Sequence, residues 1–182
     1  MAEEMVDVVD EEGSPTGERV ARREADREGL WHLTVHVWVY TPQGEVLIQK
    51  RSEEKRIFPG KLDVSVGGHV LAGETATGAC VREVREEAGM PITENDPEFV
   101  KRFRTTLRPE PGWTKNQIHE VFTLRYDGDK RALEPQEGEV DEFLFLPFEE
   151  VERRLEEDGE SFAGSPEYWQ DMIREMKKRL YR

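Results

Sequence analysis

At residues 68–90 the chain reads GHVLAGETATGACVREVREEAGM, a glycine-containing loop that runs into one short helix. Thr75 suits the N-cap of this helix, because its hydroxyl can accept a hydrogen bond from a free N–H group of the first turn. Gly89 suits the position just past the last turn, since helices commonly end by passing through a left-handed conformation. The remaining sequence can be interpreted outward from this loop and helix.

Two faces of the predicted helix differ in character, because residues three and four apart lie side by side on a helix. An apolar stripe recurs at four-residue spacing and consists of Cys80, Val84 and Ala88. A second face carries three carboxylates, Glu83, Glu86 and Glu87. Neighbouring like charges repel by about 0.2–0.5 kcal/mol per pair. A hard divalent cation such as Mg²⁺ or Mn²⁺ would relieve that repulsion, and a solvated acidic face is the alternative.

The spacing of this stretch resembles the Nudix box at every defined position. The pattern runs Gly68, five residues, Glu74, seven residues, Arg82-Glu83-Val84, one residue, Glu86-Glu87, one residue, and Gly89-Met90. The resemblance implies an α/β fold, an α/β/α sandwich with a mixed sheet that carries the loop and helix at 68–90. It also implies Mg²⁺- or Mn²⁺-dependent cleavage of a diphosphate linked to some other group.

The resemblance assigns roles to individual positions of the box. It implies that Glu83 and Glu87 are the principal metal ligands, that Glu86 is a further ligand or base, and that the Gly68 carbonyl approaches the metal. It further implies that Arg82 orients the glutamates and that Glu74 braces the loop. Metal ions bridge phosphate oxygens, neutralise developing charge and lower the pKa of a bound water.

Composition limits the classes of partner. The net charge of −14 argues against a nucleic-acid polymer, whose binding depends on clustered Lys and Arg, whereas a small phosphorylated substrate is compatible with bound metal. The single cysteine excludes an internal disulfide. The sequence has no run of about 18 apolar residues and no basic-then-apolar N-terminal signal, so we expect no membrane partner and a cytoplasmic location. The oligomeric state is left open.

The rest of the chain predicts one domain over residues 1–182, with an N-terminal extension at about 1–30. Short extended pieces are expected within 5–20, and a hairpin is expected over 32–50, where apolar residues alternate with polar ones. Further strands are predicted at 98–107, 116–126 and 139–146, and a short helix at 148–156. Ser165 and Pro166 begin a C-terminal helix over 165–181 that packs on the domain.

Residues 5–150 also resemble the type I isopentenyl diphosphate isomerases and the Nudix hydrolases closest to them. Those isomerases use a cysteine just before the first box glycine, where this chain has Gly67. They also hold a second metal, and His32 and His69 match two of its ligands. The other three ligand positions depart from the pattern and are occupied by Ala25, Lys115 and Gln117. Isomerase activity is therefore a disfavoured alternative. A non-catalytic ligand-binding module is the other disfavoured alternative, because such modules commonly have an eroded box and this box is intact.

Several residues outside the helix are predicted to complete the site. Arg51 and Lys55 match positions that hold the diphosphate in the related isomerases, and Arg and Lys suit phosphoryl oxygens. Trp113 is a candidate to stack on a base or to cap the pocket, with local packing as the alternative, and His69 adjoins the metal-binding loop. Glu120 is a candidate additional metal ligand, and Glu139 is a candidate base. The sequence thus predicts a Nudix hydrolase acting on a nucleoside diphosphate or a nucleoside-diphosphate-linked compound.

Overall fold

The structure is a computed structural model and describes residues 3–181. Its strands are β1 (Met5–Val9), β2 (Pro15–Ala21), β3 (His32–Tyr40), β4 (Glu45–Arg51), β5 (Leu62–Asp63), β6 (Val66–His69), β7 (Glu98–Leu107), β8 (Lys115–Arg125) and β9 (Val140–Pro147). Its α-helices are α1 (Arg22–Glu28), α2 (Ala76–Ala88), α3 (Phe148–Asp158) and α4 (Pro166–Leu180). Short 3-10 turns occupy Lys130–Ala132 and Gly159–Ser161.

The strands form a mixed sheet in which β3 is the central strand. β3 runs parallel to β8 along its whole length, from His32 beside Gln117 to Tyr40 beside Arg125. On its other edge β3 pairs antiparallel with β6. β7 continues the sheet beyond β8, and β4 pairs with both β5 and β9. The β1–β2 hairpin joins the sheet where Val8 of β1 pairs antiparallel with His32 of β3.

Helices cover both faces of the sheet, because the side chains of each strand alternate between them. On one face, Trp38 and Ile48 pack against α3 and α4 in a cluster that includes Trp169. On the other face, Val35 and Leu47 join a cluster that contains the apolar stripe of α2. The predicted α/β/α sandwich with a mixed sheet is confirmed.

The loop and helix at 68–90 form as the sequence predicts. The Thr75 hydroxyl accepts a hydrogen bond from the Gly78 N–H at 3.0 Å, and α2 begins at the next residue. Gly89 ends the helix in a left-handed conformation with φ of 66°. The last helix is also capped as expected, because the Ser165 side chain accepts from the Tyr168 N–H and Pro166 opens the helix.

One local prediction, the hairpin over 32–50, holds only at its turn. β3 and β4 pair only where Tyr40 lies opposite Val46, and they then diverge. The physical reason is competition for strand edges, since β6 and β8 take both edges of β3 while β4 pairs with β9. Among residues 3–181, no helix combines the length and the apolarity needed to span a membrane.

Candidate active site

Arg82, near the middle of α2, holds three glutamates around one guanidinium group. Its Nε and Nη2 atoms donate to the two carboxylate oxygens of Glu74, at 2.8 and 3.0 Å. Its Nη1 donates to Glu83 at 2.7 Å and to Glu86 at 3.2 Å. Nη2 also donates to the His69 carbonyl at 2.8 Å, which ties the helix to the end of β6. Hydrogen bonds to Glu74, followed by the charge of Glu83, raise the pKa of Arg82 and keep it cationic.

Glu74 braces the loop that precedes α2. Its Oε2 atom accepts a hydrogen bond from the Leu71 N–H at 2.9 Å. Partial burial acts to raise the pKa of this carboxyl group, but the hydrogen bonds from Arg82 and Leu71 outweigh it and lower the pKa. Glu74 is therefore an ionised link between the loop backbone and Arg82.

The same loop is also held by β1, a support that the sequence reasoning missed. The Gly73 N–H donates to Asp7 Oδ2 at 2.7 Å. The Ala72 N–H donates to the Met5 carbonyl at 2.8 Å. The two contacts join residues more than sixty positions apart, and no local sequence signal predicts them.

The Glu83 carboxyl group lies directly against the backbone of Gly68. A Cβ atom at position 68 would overlap this carboxyl group, so a side chain there would displace it. Burial raises the pKa of Glu83, while the positive charge of Arg82 acts in the opposite direction. The glycine thus lets a carboxyl group that is only 12% exposed pack directly on the backbone of β6.

Glu87 is buried, so at this position the alternative of a solvated acidic face is wrong. It is 5% exposed, and its Oε2 atom accepts from the Gly67 N–H at 3.3 Å and from Gln49 Nε2 at 3.4 Å. The face of α2 that carries Glu87 is turned toward β4 and β6, whereas the Glu86 side chain is 51% exposed. Burial, followed by the charge of Glu83, raises the pKa of Glu87 to about 8.

Gln49 is a site residue that the sequence reasoning missed. It lies at a buried position of β4, next to the apolar residues Val46, Leu47 and Ile48. A buried polar side chain needs a hydrogen-bond partner, so a glutamine in an otherwise apolar strand was the available signal. That partner is the Glu87 carboxyl group.

The acidic residues are chemically suited to a hard divalent cation, but in this structure their carboxylates do not converge on a common point. Among the described residues, no three His, Cys, Asp or Glu side chains form a cluster that could hold a metal ion. Arg82 lies between Glu83 and Glu86, and the Glu87 carboxyl group is turned toward Gly67. All the available donors are oxygens, and a cation would stabilise the ionised form of the buried Glu87. The fit requires the carboxylates to turn away from Arg82.

The predicted phosphate-binding residues lie at the end of β4, where Arg51 is the last residue, and in the segment that follows it, which carries Lys55. The Arg51 guanidinium donates to Asp63 at 2.7 Å and to the Ile57 carbonyl at 3.1 Å. Lys55 forms an ion pair with Glu139, which precedes β9. The structure therefore brings the candidate phosphate ligand Lys55 and the candidate base Glu139 into direct contact.

Glu120 faces the same side of the sheet as α2 but already has a cationic partner. It lies beside Val35, whose other neighbour across the sheet is Gly68, so the three residues form one row. Arg102 donates to Glu120 Oε1 through Nε at 2.7 Å and makes a second contact through Nη2. A role for Glu120 as a metal ligand would require this ion pair to open.

Trp113 does not stand free over a pocket. The Arg56 guanidinium lies 4.0 Å above the centre of its ring and also pairs with Glu110. The loop that follows β4 is thus joined to the loop between β7 and β8. Trp113 could meet a substrate base only with its other face or after Arg56 moves away.

The His69 side chain points to the face opposite Gly68, because successive residues of a strand alternate. Its ring stacks on His32 at 5.5 Å between centroids. Gln117 Nε2 lies 3.2 Å from His69 Nε2 and 3.3 Å from His32 Nε2. Lys115 lies nearby, with Nζ 3.8 Å from Asp26 Oδ2. This buried network, rather than the group of glutamates, is what contacts the His69 ring.

The fold and the site together define a class of protein. It is an α/β/α sandwich in which one loop and the helix α2 carry Glu74, Glu83, Glu86 and Glu87. The NUDIX domain family model matches residues 30–165. An uncharacterized Nudix hydrolase of Streptomyces coelicolor is 36% identical over 156 residues, covering 86% of this chain and 81% of that protein. The chain therefore belongs to the Nudix family.

Three further relatives show how widely the similarity extends. The isopentenyl-diphosphate Delta-isomerase of Escherichia coli is 31% identical over 185 residues, covering 99% of this chain and 96% of the relative. Nudix hydrolase 3 of Arabidopsis thaliana is 31% identical over 167 residues, but the chain spans only 22% of its length. The crystal structure of DR0079 from Deinococcus radiodurans superposes with a TM-score of 0.67 at 26% identity, covering 98% of this chain and all of that one.

The similarity to the isomerase makes the differing positions informative. Gly67 supplies no side chain where the isomerases have a cysteine. Gln117 places its amide nitrogen between His32 and His69, so both rings are already engaged. Lys115 brings a positive charge to the same network, and burial lowers its pKa. These residues do not match the second metal site that the resemblance to the isomerases implies.

Proposed function

We propose that this chain is a Mg²⁺- or Mn²⁺-dependent hydrolase of a phosphoanhydride bond in a nucleoside diphosphate or a nucleoside-diphosphate-linked compound. The observation that carries the proposal is the contact between Glu83 and Gly68, with Arg82 and Glu74 holding the helix and the loop together. This arrangement has the complete box pattern and packs a partly buried carboxylate against the backbone of Gly68.

Metal ligands are proposed at four positions: Glu83, Glu87, Glu86 and the carbonyl of Gly68. When bound, the cation would neutralise the charge that develops on the phosphate oxygens. Glu120 is proposed as an additional metal ligand, since it lies in the same row of the sheet as Gly68. Whether it takes part depends on its ion pair with Arg102.

The remaining residues bind the substrate and move a proton. Lys55 and Arg51 are proposed to hold the diphosphate oxygens, since ammonium and guanidinium groups stabilise charge on a transferring phosphoryl group. A water oxygen forms a bond to phosphorus, the bridging P–O bond breaks, and the departing phosphate takes up the bond electrons. Glu139 is proposed to accept the proton from the water. Glu86 is the alternative proton acceptor, and each of the two carboxylates has a cationic partner, Lys55 for Glu139 and Arg82 for Glu86.

Two assignments bear on the base or sugar part of the substrate. Trp113 is proposed to contact it through the ring face that Arg56 leaves open. His69 is proposed to hold the loop in shape, since its carbonyl accepts a hydrogen bond from Arg82 while its ring stacks on His32. The proposed partners remain small phosphorylated compounds, and the proposed location remains the cytoplasm.

A substrate screen tests the proposal. Purified protein is incubated with nucleoside diphosphates, nucleotide sugars and dinucleoside polyphosphates, each with Mg²⁺ and with Mn²⁺. Released phosphate or nucleoside monophosphate is measured, and Glu83→Gln provides the matched control because it keeps the side-chain size. We expect turnover of at least one compound that depends on the cation and is lost in Glu83→Gln. Turnover that is equal in both proteins would contradict the proposal.

A further inference from the structure

The ion pair between Lys55 and Glu139 connects the segment after β4 with the segment before β9. A backbone hydrogen bond next to the pair also joins these two segments. The Ser52 N–H donates to the Glu139 carbonyl at 3.0 Å, and Arg51 lies opposite Val140 where β4 pairs with β9. The segment after β4 and the segment before β9 are therefore joined by backbone contacts as well as by the ion pair. The two side chains are 27% and 40% exposed, so they remain accessible to a ligand from solution.

The pair also lies beside the glutamates of α2. The Gln136 N–H donates to the Glu87 carbonyl at 3.2 Å, and the Glu134 N–H donates to the Ala88 carbonyl at 3.3 Å. The segment that carries Glu139 is thereby attached to the last turn of α2. Lys55 and Glu139 are both close enough to Glu87 for their charges to act on its carboxyl group.

The contact between Lys55 and Glu139 conflicts with their proposed roles, which are diphosphate binding for Lys55 and proton acceptance for Glu139. An ammonium that is engaged by a carboxylate offers fewer N–H groups to a phosphate. A carboxylate that is engaged by an ammonium is a weaker proton acceptor. Partly exposed ion pairs contribute little net stability, so a diphosphate with more than one negative charge can compete for the lysine.

We propose that Glu139 holds Lys55 in the free protein and that the diphosphate of the substrate replaces Glu139 on Lys55. The exchange frees the Glu139 carboxylate beside α2 at the moment when phosphate is bound. Lys55 is then a positioning residue for Glu139 as well as a phosphate ligand. This inference rests on the proposed function for the identity of the anion, and its test does not require turnover.

The exchange predicts that one substitution, Glu139→Gln, strengthens diphosphate binding and slows catalysis. Glu139→Gln removes the competitor of the phosphate, so binding of a diphosphate should become tighter. The same change removes the proton acceptor, so kcat should fall. A pair with only a structural role would give the opposite binding result, because its loss would loosen the segment that holds Lys55.

The test is a double-mutant cycle on the binding of inorganic pyrophosphate, measured by calorimetry with the full chain in EDTA. We expect Glu139→Gln to lower the Kd by about two- to fivefold, the range that a partly exposed pair allows, and Lys55→Met to raise it. In the Lys55→Met background, Glu139→Gln should have no effect. Lys55→Arg retains a cation, so in that background Glu139→Gln should again tighten binding.

The matched control is Glu152→Gln, which opens an ion pair with Lys177 between α3 and α4 and should leave the Kd unchanged. Weaker or unchanged binding in Glu139→Gln overturns the proposal. Equal tightening with and without Lys55 also overturns it, because it would show a general charge effect rather than an exchange. Melting temperatures of all variants identify any that fail to fold, and Glu139→Ala then replaces Glu139→Gln.

Kinetics separate this inference from the proposed function. With any diphosphate that the protein hydrolyses, Glu139→Gln should lower both KM and kcat, provided that substrate binding equilibrates before the chemical step. If the protein hydrolyses no diphosphate, the proposed function fails while the pyrophosphate cycle still decides the exchange. If hydrolysis occurs but KM rises in Glu139→Gln, the exchange fails while the proposed function stands.

Discussion

The Glu83 carboxyl group occupies the space that a side chain at Gly68 would fill. The contact joins the middle of α2 to the strand that leads into the box. It explains physically why a glycine is needed at position 68, since the backbone conformation there is not left-handed. The neighbouring Gly67 differs, because a Cβ at that position would meet its neighbours only at ordinary contact distances of 3.4–3.6 Å.

The two adjacent glycines therefore provide a matched test. Gly68→Ala should displace Glu83 and lower hydrolysis by at least about tenfold, equivalent to about 1.4 kcal/mol of transition-state stabilisation. Gly67→Ala should stay within about threefold of the parent rate. Steady-state rates with one confirmed substrate check the pair. Equal losses in the two variants would contradict the special role of Gly68.

Glu87→Gln should separate catalysis from stability. The change keeps the side-chain size and removes a charge from the proposed metal site, so the rate should fall about 10²–10⁵-fold. The metal-free protein should be at least as stable as the parent at high pH, because a buried carboxylate no longer needs to ionise. Val84→Asp, on the apolar stripe, should instead lower the melting temperature first. A Glu87→Gln rate within about threefold of the parent would remove Glu87 from the ligand set.

Metal binding should become stronger as the pH rises through the range in which Glu87 ionises. Burial raises the pKa of Glu87 to about 8, so below that pH a cation must displace a proton. The raised pKa contributes stability that is full below about pH 4.5 and is lost as the pH rises through about 8. Saturating Mg²⁺ should therefore raise the melting temperature more at about pH 8.5 than at about pH 6. Glu87→Gln should remove most of this pH dependence.

Buried histidines should make the protein sensitive to acid. Burial lowers the pKa of His36 to about 4 and that of His119 to about 2, compared with the usual 6.5. Below pH 6.5 the unfolded chain binds protons that the folded chain does not, so the free energy of unfolding decreases as the pH falls. His36 alone accounts for about 3 kcal/mol between pH 6.5 and 4 on this basis.

Urea unfolding at several pH values checks this expectation, preferably in the Glu87→Gln background, because Glu87 titrates with the opposite sign. His36→Gln should reduce the loss of stability in acid. An unchanged pH slope in this variant would show that His36 is not one of the groups responsible.

Isomerase activity should be absent and should not be easy to restore. Purified protein should not convert isopentenyl diphosphate, because Gly67 supplies no thiol and Gln117 engages both His32 and His69. Gly67→Cys should fold, since a Cβ there meets no close contact, but should remain inactive as an isomerase. Product analysis with a true isomerase as the positive control decides the matter. Comparable turnover by the parent protein would reverse the functional assignment.

The sequence alone determined the parts of this protein that depend on short-range rules. Thr75 and Gly89 predicted both ends of α2, and the four-residue spacing of Cys80, Val84 and Ala88 predicted its buried face. The alternation of residues in β3 predicted a strand. Helix caps, helix periodicity and strand alternation are local properties of the chain, so they can be read without knowing which elements meet.

Only the tertiary structure decided which charges are buried and which are paired. Glu86 and Glu87 are adjacent in sequence, yet one is exposed and the other is covered by β4 and β6. The pairing of Lys55 with Glu139 joins residues 84 positions apart. Burial and ion pairing depend on the elements that pack around a side chain, and strands compete for those neighbours across the whole sheet. The spacing of residues along the chain therefore does not predict which carboxylates are buried or which charges are paired.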